Sequence, residues 1–144
     1  MPRVLTIGEL SKQTRCKVPT IRYYEEVGLM PPPSRTQGNQ RRYEPKHIRR
    51  LIFIQHCREL GFDQNTIRDL LQLTEDPSRD CKAVTSIARA RLNEMNERMS
   101  RLSALKAELE LLIEGCNGGK VADCRIIEAL GHLTNDKVLE NGHP

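Results

Sequence analysis

Apolar side chains recur at helical spacing in four blocks of this chain, and from residue 81 to residue 116 they settle into alternating steps of four and three. In the first block Thr6-Ile7-Gly8-Glu9 reads as a capping box. The Thr6 hydroxyl satisfies a first-turn amide while Glu9 reaches back to the cap, which predicts a short helix to about Gln13. After the polar turn from Thr14 to Lys17, Pro19 suits the first turn of a second helix, where its missing N–H loses no partner, and Gly28 suits the C-terminal cap. Two short helices around a tight turn predict a helix-turn-helix. Pro31-Pro32-Pro33 fixes extended backbone and Gly38-Asn39 favours a turn, so residues 30–43 read as a small β-wing with arginines at its tip and base. Helical spacing returns from Pro45 to Leu60-Gly61, with Ile48, Leu51, Ile52 and Phe53 toward a core. Asp63 caps a further helix carrying Ile67, Leu70, Leu71 and Leu73, and Pro77 ends that block.

Positions 81, 85, 88, 92, 95, 99, 102, 106, 109, 113 and 116 hold Cys, Thr, Ala, Leu, Met, Met, Leu, Lys, Leu, Ile and Cys. Seven of the nine interior positions are apolar, the spacing of a coiled coil. The competing reading, an amphipathic helix folded on its own domain, needs more covering surface than the small N-terminal block offers. Beyond Cys124, Ile126, Ile127, Leu130 and Leu133 predict a short helix, and Thr134 to Pro144 a mobile polar tail. The expected fold is therefore all-α with a small β-wing. A winged helix-turn-helix covers residues 1–76, a hinge and long antiparallel dimerisation helix 77–116, a loop and short helix 117–133, and a tail 134–144.

Composition fits that division: 38% hydrophobic residues and no tryptophan are thin for one globule of 144 residues but ordinary for a small domain joined to an exposed helix. The N-terminus lacks a signal-peptide core and the densest apolar run, Leu51 to Ile54, is too short to cross a bilayer, so a soluble cytoplasmic protein is expected. In that reducing setting five cysteines read as thiols, metal ligands or redox sensors before structural disulfides. Residues 1–60 hold twelve Lys/Arg against five Asp/Glu, a net +7, and the remainder is −3. The basic half is where a polyanion such as DNA would bind.

Cys81 and Cys116 are five heptads apart, so both face the seam of the coil yet lie roughly 50 Å apart along one helix. An antiparallel dimer brings Cys81 of one subunit to the partner's loop CNGGKVADC, residues 116–124, and its two-fold axis makes two such sites. Three thiolates at Cys81, Cys116 and Cys124 suit mercury, cadmium or lead, and zinc where water, Asp123 or another donor adds a fourth contact. A redox pair of Cys116 and Cys124, or a loop with no chemistry, remains open on the spacing alone. Cys57 reads as a core thiol, Cys16 as a turn residue, and His47 and His56 as surface or packing residues. His132 is a weak candidate for a fourth ligand and His143 lies on the tail. No base is paired with a nucleophile and no glycine loop suits phosphate, which argues against an enzyme.

TIGELSKQT, VPTIRYYEEVGLMPPPSR, GNQRRY and FIQHCRELGF resemble, in order, the winged helix-turn-helix of the MerR family of transcriptional regulators. The long helix, Cys81 and the CNGGKVADC loop resemble the effector half of its metal-sensing branch, so the likeness covers residues 5–133. It implies an antiparallel homodimer on a palindromic operator in a promoter whose polymerase-recognition elements are too widely spaced. Metal then leads the dimer to bend and untwist the DNA so that RNA polymerase can use it. Thr20, Arg22 and Tyr24 would read the major groove, and Arg35, Arg41 and Tyr43 would hold phosphates from the wing. Gln40 stands where many members carry an aromatic, which puts one backbone contact in question. In the family a cysteine matching Cys81 accompanies divalent ions and a serine accompanies copper, silver or gold. Zinc-type members carry a further cysteine where this chain has Asn117, so the resemblance favours lead or cadmium, then mercury or zinc. The iron–sulfur members use four cysteines in the terminal loop, more than this loop has.

Overall fold

The computed structural model describes residues 4–116 and 118–132; the expected tail, with Leu133 and His143, lies outside them, as does Asn117. Helix α1 (Ile7–Thr14) opens on the expected capping box. The Thr6 hydroxyl accepts the Glu9 amide at 3.2 Å, and the Glu9 carboxylate accepts the Thr6 amide at 3.3 Å. Helix α2 (Val18–Glu26) carries Pro19 in its first turn. Strand β1 (Ser34–Arg35) pairs antiparallel with β2 (Arg41–Arg42), aligning Ser34 with Arg42 and Arg35 with Arg41. Tyr43 then forms an antiparallel bridge with Leu5, each amide donating to the other's carbonyl at 2.8 Å, so the wing is tied to the segment that precedes α1.

Helix α3 (Pro45–Glu59) and α4 (Gln64–Thr74), the latter capped by Asp63 on the Thr66 amide at 2.8 Å, close the core. Leu10, Ile21, Leu29, Met30, Tyr43, Leu51, Ile54 and Ile67 are fully buried. Ile52 departs from expectation at 41% exposed. The buried stripe of α3 runs through His47, Leu51, Ile54 and Cys57, and a residue one step from Leu51 is turned about 100° away from it.

Helix α5 (Lys82–Glu114) is one uninterrupted element of 33 residues. The chain divides within it into two compact units, Met1–Arg91 and Leu92–Pro144. The first therefore extends past the expected boundary at 76 and takes in the first turns of α5. There Ile87 packs on the core and Arg91 Nε donates to the Leu60 carbonyl at 2.7 Å. In the second unit α5 exposes Leu92, Met99, Leu102, Leu105, Leu109 and Ile113. A 3₁₀ turn at Val121–Asp123 and helix α6 (Arg125–Gly131) follow. Among the described residues no helix is long and apolar enough to cross a membrane.

Candidate nucleic-acid interface and thiol centre

On α2 Arg22 is exposed and Thr20 and Tyr24 are half-buried. Thr20, Tyr23 and Tyr24 border a cleft of about 260 Å³ with Leu29, Arg58 and Gln64, and the Tyr23 hydroxyl donates to Gln64 at 3.0 Å. Burial raises the Tyr24 pKa, nearby Cys16 adds to the rise, and the Arg58 cation opposes it. Arg58 thus joins the residues nominated on α2. Its sequence signal was a basic residue in the last turn of a helix, which says nothing of what it faces.

The wing is more tightly bound than its sequence implies. Arg35 Nη1 donates to the Asn39 carbonyl at 3.2 Å and side-chain oxygen at 3.3 Å. Arg41 Nη1 is ion-paired with Glu25 at 2.7 Å, and the Tyr43 hydroxyl donates to the same carboxylate. Tyr43 is expected at the phosphates; in the structure its ring is buried and its hydroxyl is engaged inside the fold. Burial, then the Glu25 carboxylate, pushes its pKa up to about 12, against the opposing pull of Arg41. His47 is a packing residue. Its ring meets Tyr43 edge-on at 5.5 Å, its Nδ1 accepts the Glu44 amide at 2.9 Å, and burial lowers its pKa.

Of the three thiols proposed as ligands, the structure brings together two. Cys116, just beyond α5, and Cys124, at the N-cap of α6, hold their sulfurs 4.0 Å apart. Two thiolates on a tetrahedral ion with bonds of about 2.3 Å would sit about 3.8 Å apart, so the pair fits a shared ion without large rearrangement. The backbone amides of Ile127 and Ile126 draw the Cys124 pKa down, and its hydrogen bond with Cys116 adds to this, although the sulfur stops short of full capping geometry. Cys81 is exposed at the start of α5, beside a cleft of about 320 Å³ lined also by Lys82, Thr85, Ser86 and Arg89. Among the described residues no three His, Cys, Asp or Glu side chains gather as a metal site within one chain. Cys16 and Cys57 are buried, and burial raises both thiol pKa values.

A family model described as MerR HTH family regulatory protein matches residues 5–74, and a second, described as MerR, DNA binding, matches residues 48–112. The chain is 36% identical over 133 residues to the HTH-type transcriptional regulator CueR of Vibrio cholerae, covering 92% of this chain and 96% of that one. It is 38% identical over 127 residues to the HTH-type transcriptional regulator ZntR of Escherichia coli, covering 86% and 90%. Among solved structures it superposes with a TM-score of 0.78 and 37% identity on the transcription regulator PbrR691 from Ralstonia metallidurans in complex with lead(II), covering 88% of this chain and 99% of that one.

Proposed function

This chain belongs to the MerR family of helix-turn-helix regulatory proteins, and on that premise we propose that it is a heavy-metal-responsive transcriptional regulator, a DNA-binding protein and not an enzyme. The observation that carries the metal reading is the Cys116–Cys124 sulfur pair at 4.0 Å, in a chain 37% identical to a regulator solved with lead(II).

In this reading two chains associate antiparallel along α5, covering the exposed Leu92, Met99, Leu102 and Leu109 in a coiled coil. Each Cys116–Cys124 pair is then completed by the partner's Cys81. Three soft thiolates disfavour hard cations, and in this reading, supported by the likeness to a regulator solved with lead(II), the bound ion is Pb(II) or Cd(II), ahead of Hg(II) or Zn(II). Helix α2 enters the major groove of a palindromic operator with Thr20, Arg22 and Tyr24. Arg35 and Arg41 take phosphates from the wing, and Tyr43 supports them from inside.

Joining the thiolates couples the loop at residues 116–124 to the start of the partner's α5, and this sets the two DNA-binding halves for a bent operator. Bending a site of 20–30 base pairs costs on the order of 1–6 kcal/mol, which differential affinity of the two dimer states for the ion can offset. The distorted promoter is then open to RNA polymerase in the cytoplasm, and without metal it is silent or repressed.

Titration of the reduced protein with Pb(II), Cd(II), Hg(II) and Zn(II), read by thiolate-to-metal charge-transfer absorbance beside promoter-driven transcription, tests this. Metal-dependent transcription with one ion per Cys116–Cys124 pair is expected. The same sulfur proximity admits a thiol redox switch, and activation by peroxide in metal-free protein would favour that reading instead.

A further inference from the structure

Glu25 lies one residue from the end of α2, and its side chain is only 10% exposed. Its carboxylate receives Arg41 Nη1 at 2.7 Å and 3.1 Å and the Tyr43 hydroxyl at 2.5 Å, and Arg41 Nη1 also approaches the Tyr43 oxygen at 3.3 Å. Tyr43 is in turn paired through its backbone with Leu5 and packed on His47. One carboxylate thus joins the end of α2, the returning strand of the wing and the segment before α1.

The wing needs such an anchor. Its ladder is two residue pairs long, and a two-stranded ribbon is marginal by itself in water. Charge-assisted bonds to a nearly buried carboxylate are stronger than neutral ones, and each partner's position depends on the others. Glu25 and Tyr43 grip Arg41 at Nη1, so the Nε and Nη2 edge of the fork is the part that can meet a phosphate in bidentate fashion.

We propose that Glu25 is a positioning residue of the DNA interface: it locks the wing onto α2 and aims Arg41 at the phosphate backbone. This rests on the reading that α2 and the wing meet DNA. Charge alone argues the other way, because a carboxylate beside a polyanion weakens binding and its removal should help. The two accounts therefore differ in sign.

The test has two arms, both on the full chain. Without DNA, amide exchange in Glu25→Ala should quicken about tenfold at Thr36 and Gln40 in the wing and stay unchanged at Ile67 in the core, the signature of local rather than global opening. Glu25→Gln, whose amide oxygen still accepts from Arg41 and Tyr43, should restore slow exchange. Against a random-sequence duplex of about 30 base pairs, Glu25→Ala should bind about fivefold more weakly, as the cost of ordering a freed Arg41 side chain on binding predicts, with most of the loss recovered in Glu25→Gln. Should Glu25→Ala fail to fold, Tyr43→Phe keeps the ring and removes one bond, and about threefold faster wing exchange is expected. Unchanged wing exchange, equal acceleration at Ile67, or tighter duplex binding by Glu25→Ala would overturn the proposal. A wild-type chain that ignores the duplex would defeat the DNA-binding reading itself, and the exchange arm would still decide whether the lock exists.

Discussion

Cys116 and Cys124 hold their sulfurs 4.0 Å apart across a loop in which Gly118 and Gly119 both take positive φ, 80° and 104°. That backbone region is open to glycine at little penalty, and it returns the chain to the N-cap of α6 with the second thiol facing the first. Two donors already adjacent lose less conformational freedom on chelation than two brought together from a flexible loop.

Three of the five thiols should react in a fixed order. Cys124 is held below the ordinary thiol range by the Ile127 and Ile126 amides, whereas burial holds Cys16 and Cys57 above it. The thiolate is the nucleophile, so Cys124 reaches half-maximal alkylation at a lower pH than a free cysteine and the two core thiols at a higher one. Peptide mapping after timed iodoacetamide treatment of reduced protein checks this. Equal rates at Cys124 and Cys57 would contradict the placement of both.

Division of the metal site between subunits predicts complementation. Cys81→Ser alone should abolish the transcriptional response to Pb(II) or Cd(II) while operator affinity stays near that of wild type, since Cys81 immediately precedes α5 and lies on neither α2 nor the wing. Purified heterodimers of Cys81→Ser with Cys116→Ser should regain one competent site each, about half the metal of the wild-type dimer. Heterodimers that bind no metal would rule out the shared site.

What the sequence made legible here was local. The Thr6–Glu9 capping box, the Pro19 first turn, the Asp63 cap and the unbroken reach of α5 each depend on residues a few positions apart, and all appear as expected. The Cys116–Cys124 pairing was readable for the same reason, the thiols being eight positions apart. What escaped was long-range. Glu25 meets Tyr43 across 18 positions and Arg91 meets Leu60 across 31, and no periodicity reports such contacts. The first redirects Tyr43 from a solvent-facing role to an internal one, and the second carries the compact N-terminal unit on to Arg91.

Arg22 is exposed on α2, two residues from each of the half-buried Thr20 and Tyr24 that border the Arg58 cleft. Arg22→Ala should weaken operator binding by about 1–3 kcal/mol if the guanidinium reads a base edge. If it instead takes a phosphate, the loss is spread across sequences and the slope of log affinity against log salt falls in magnitude by about 1.8, about 0.9 for each subunit's Arg22. Metal stoichiometry should not move in either case. Operator affinity measured over a salt series distinguishes the two contacts, and wild-type affinity throughout would remove Arg22 from the interface.

Gly61 is where the α3–α4 turn meets the first turns of α5, and it predicts a larger stability loss than other glycines of similar backbone. Its φ is +84°, and a Cβ there would fall 2.1 Å from Arg91 Nη2, so Gly61→Ala both strains the backbone and displaces the guanidinium that bonds the Leu60 carbonyl. The backbone part costs roughly 1–2 kcal/mol and the lost hydrogen bond roughly 1 more. Gly118 is the control, since its φ of +80° is alike and a Cβ there meets nothing within 4 Å. Gly118→Ala should therefore show only the backbone part. Because Arg91 is already displaced in Gly61→Ala, adding Arg91→Ala should destabilise less there than in wild type, the non-additivity of residues in contact. Urea unfolding of wild type, the three single variants and the double variant measures it, and fully additive losses of Gly61→Ala and Arg91→Ala would show that the guanidinium does not brace this turn.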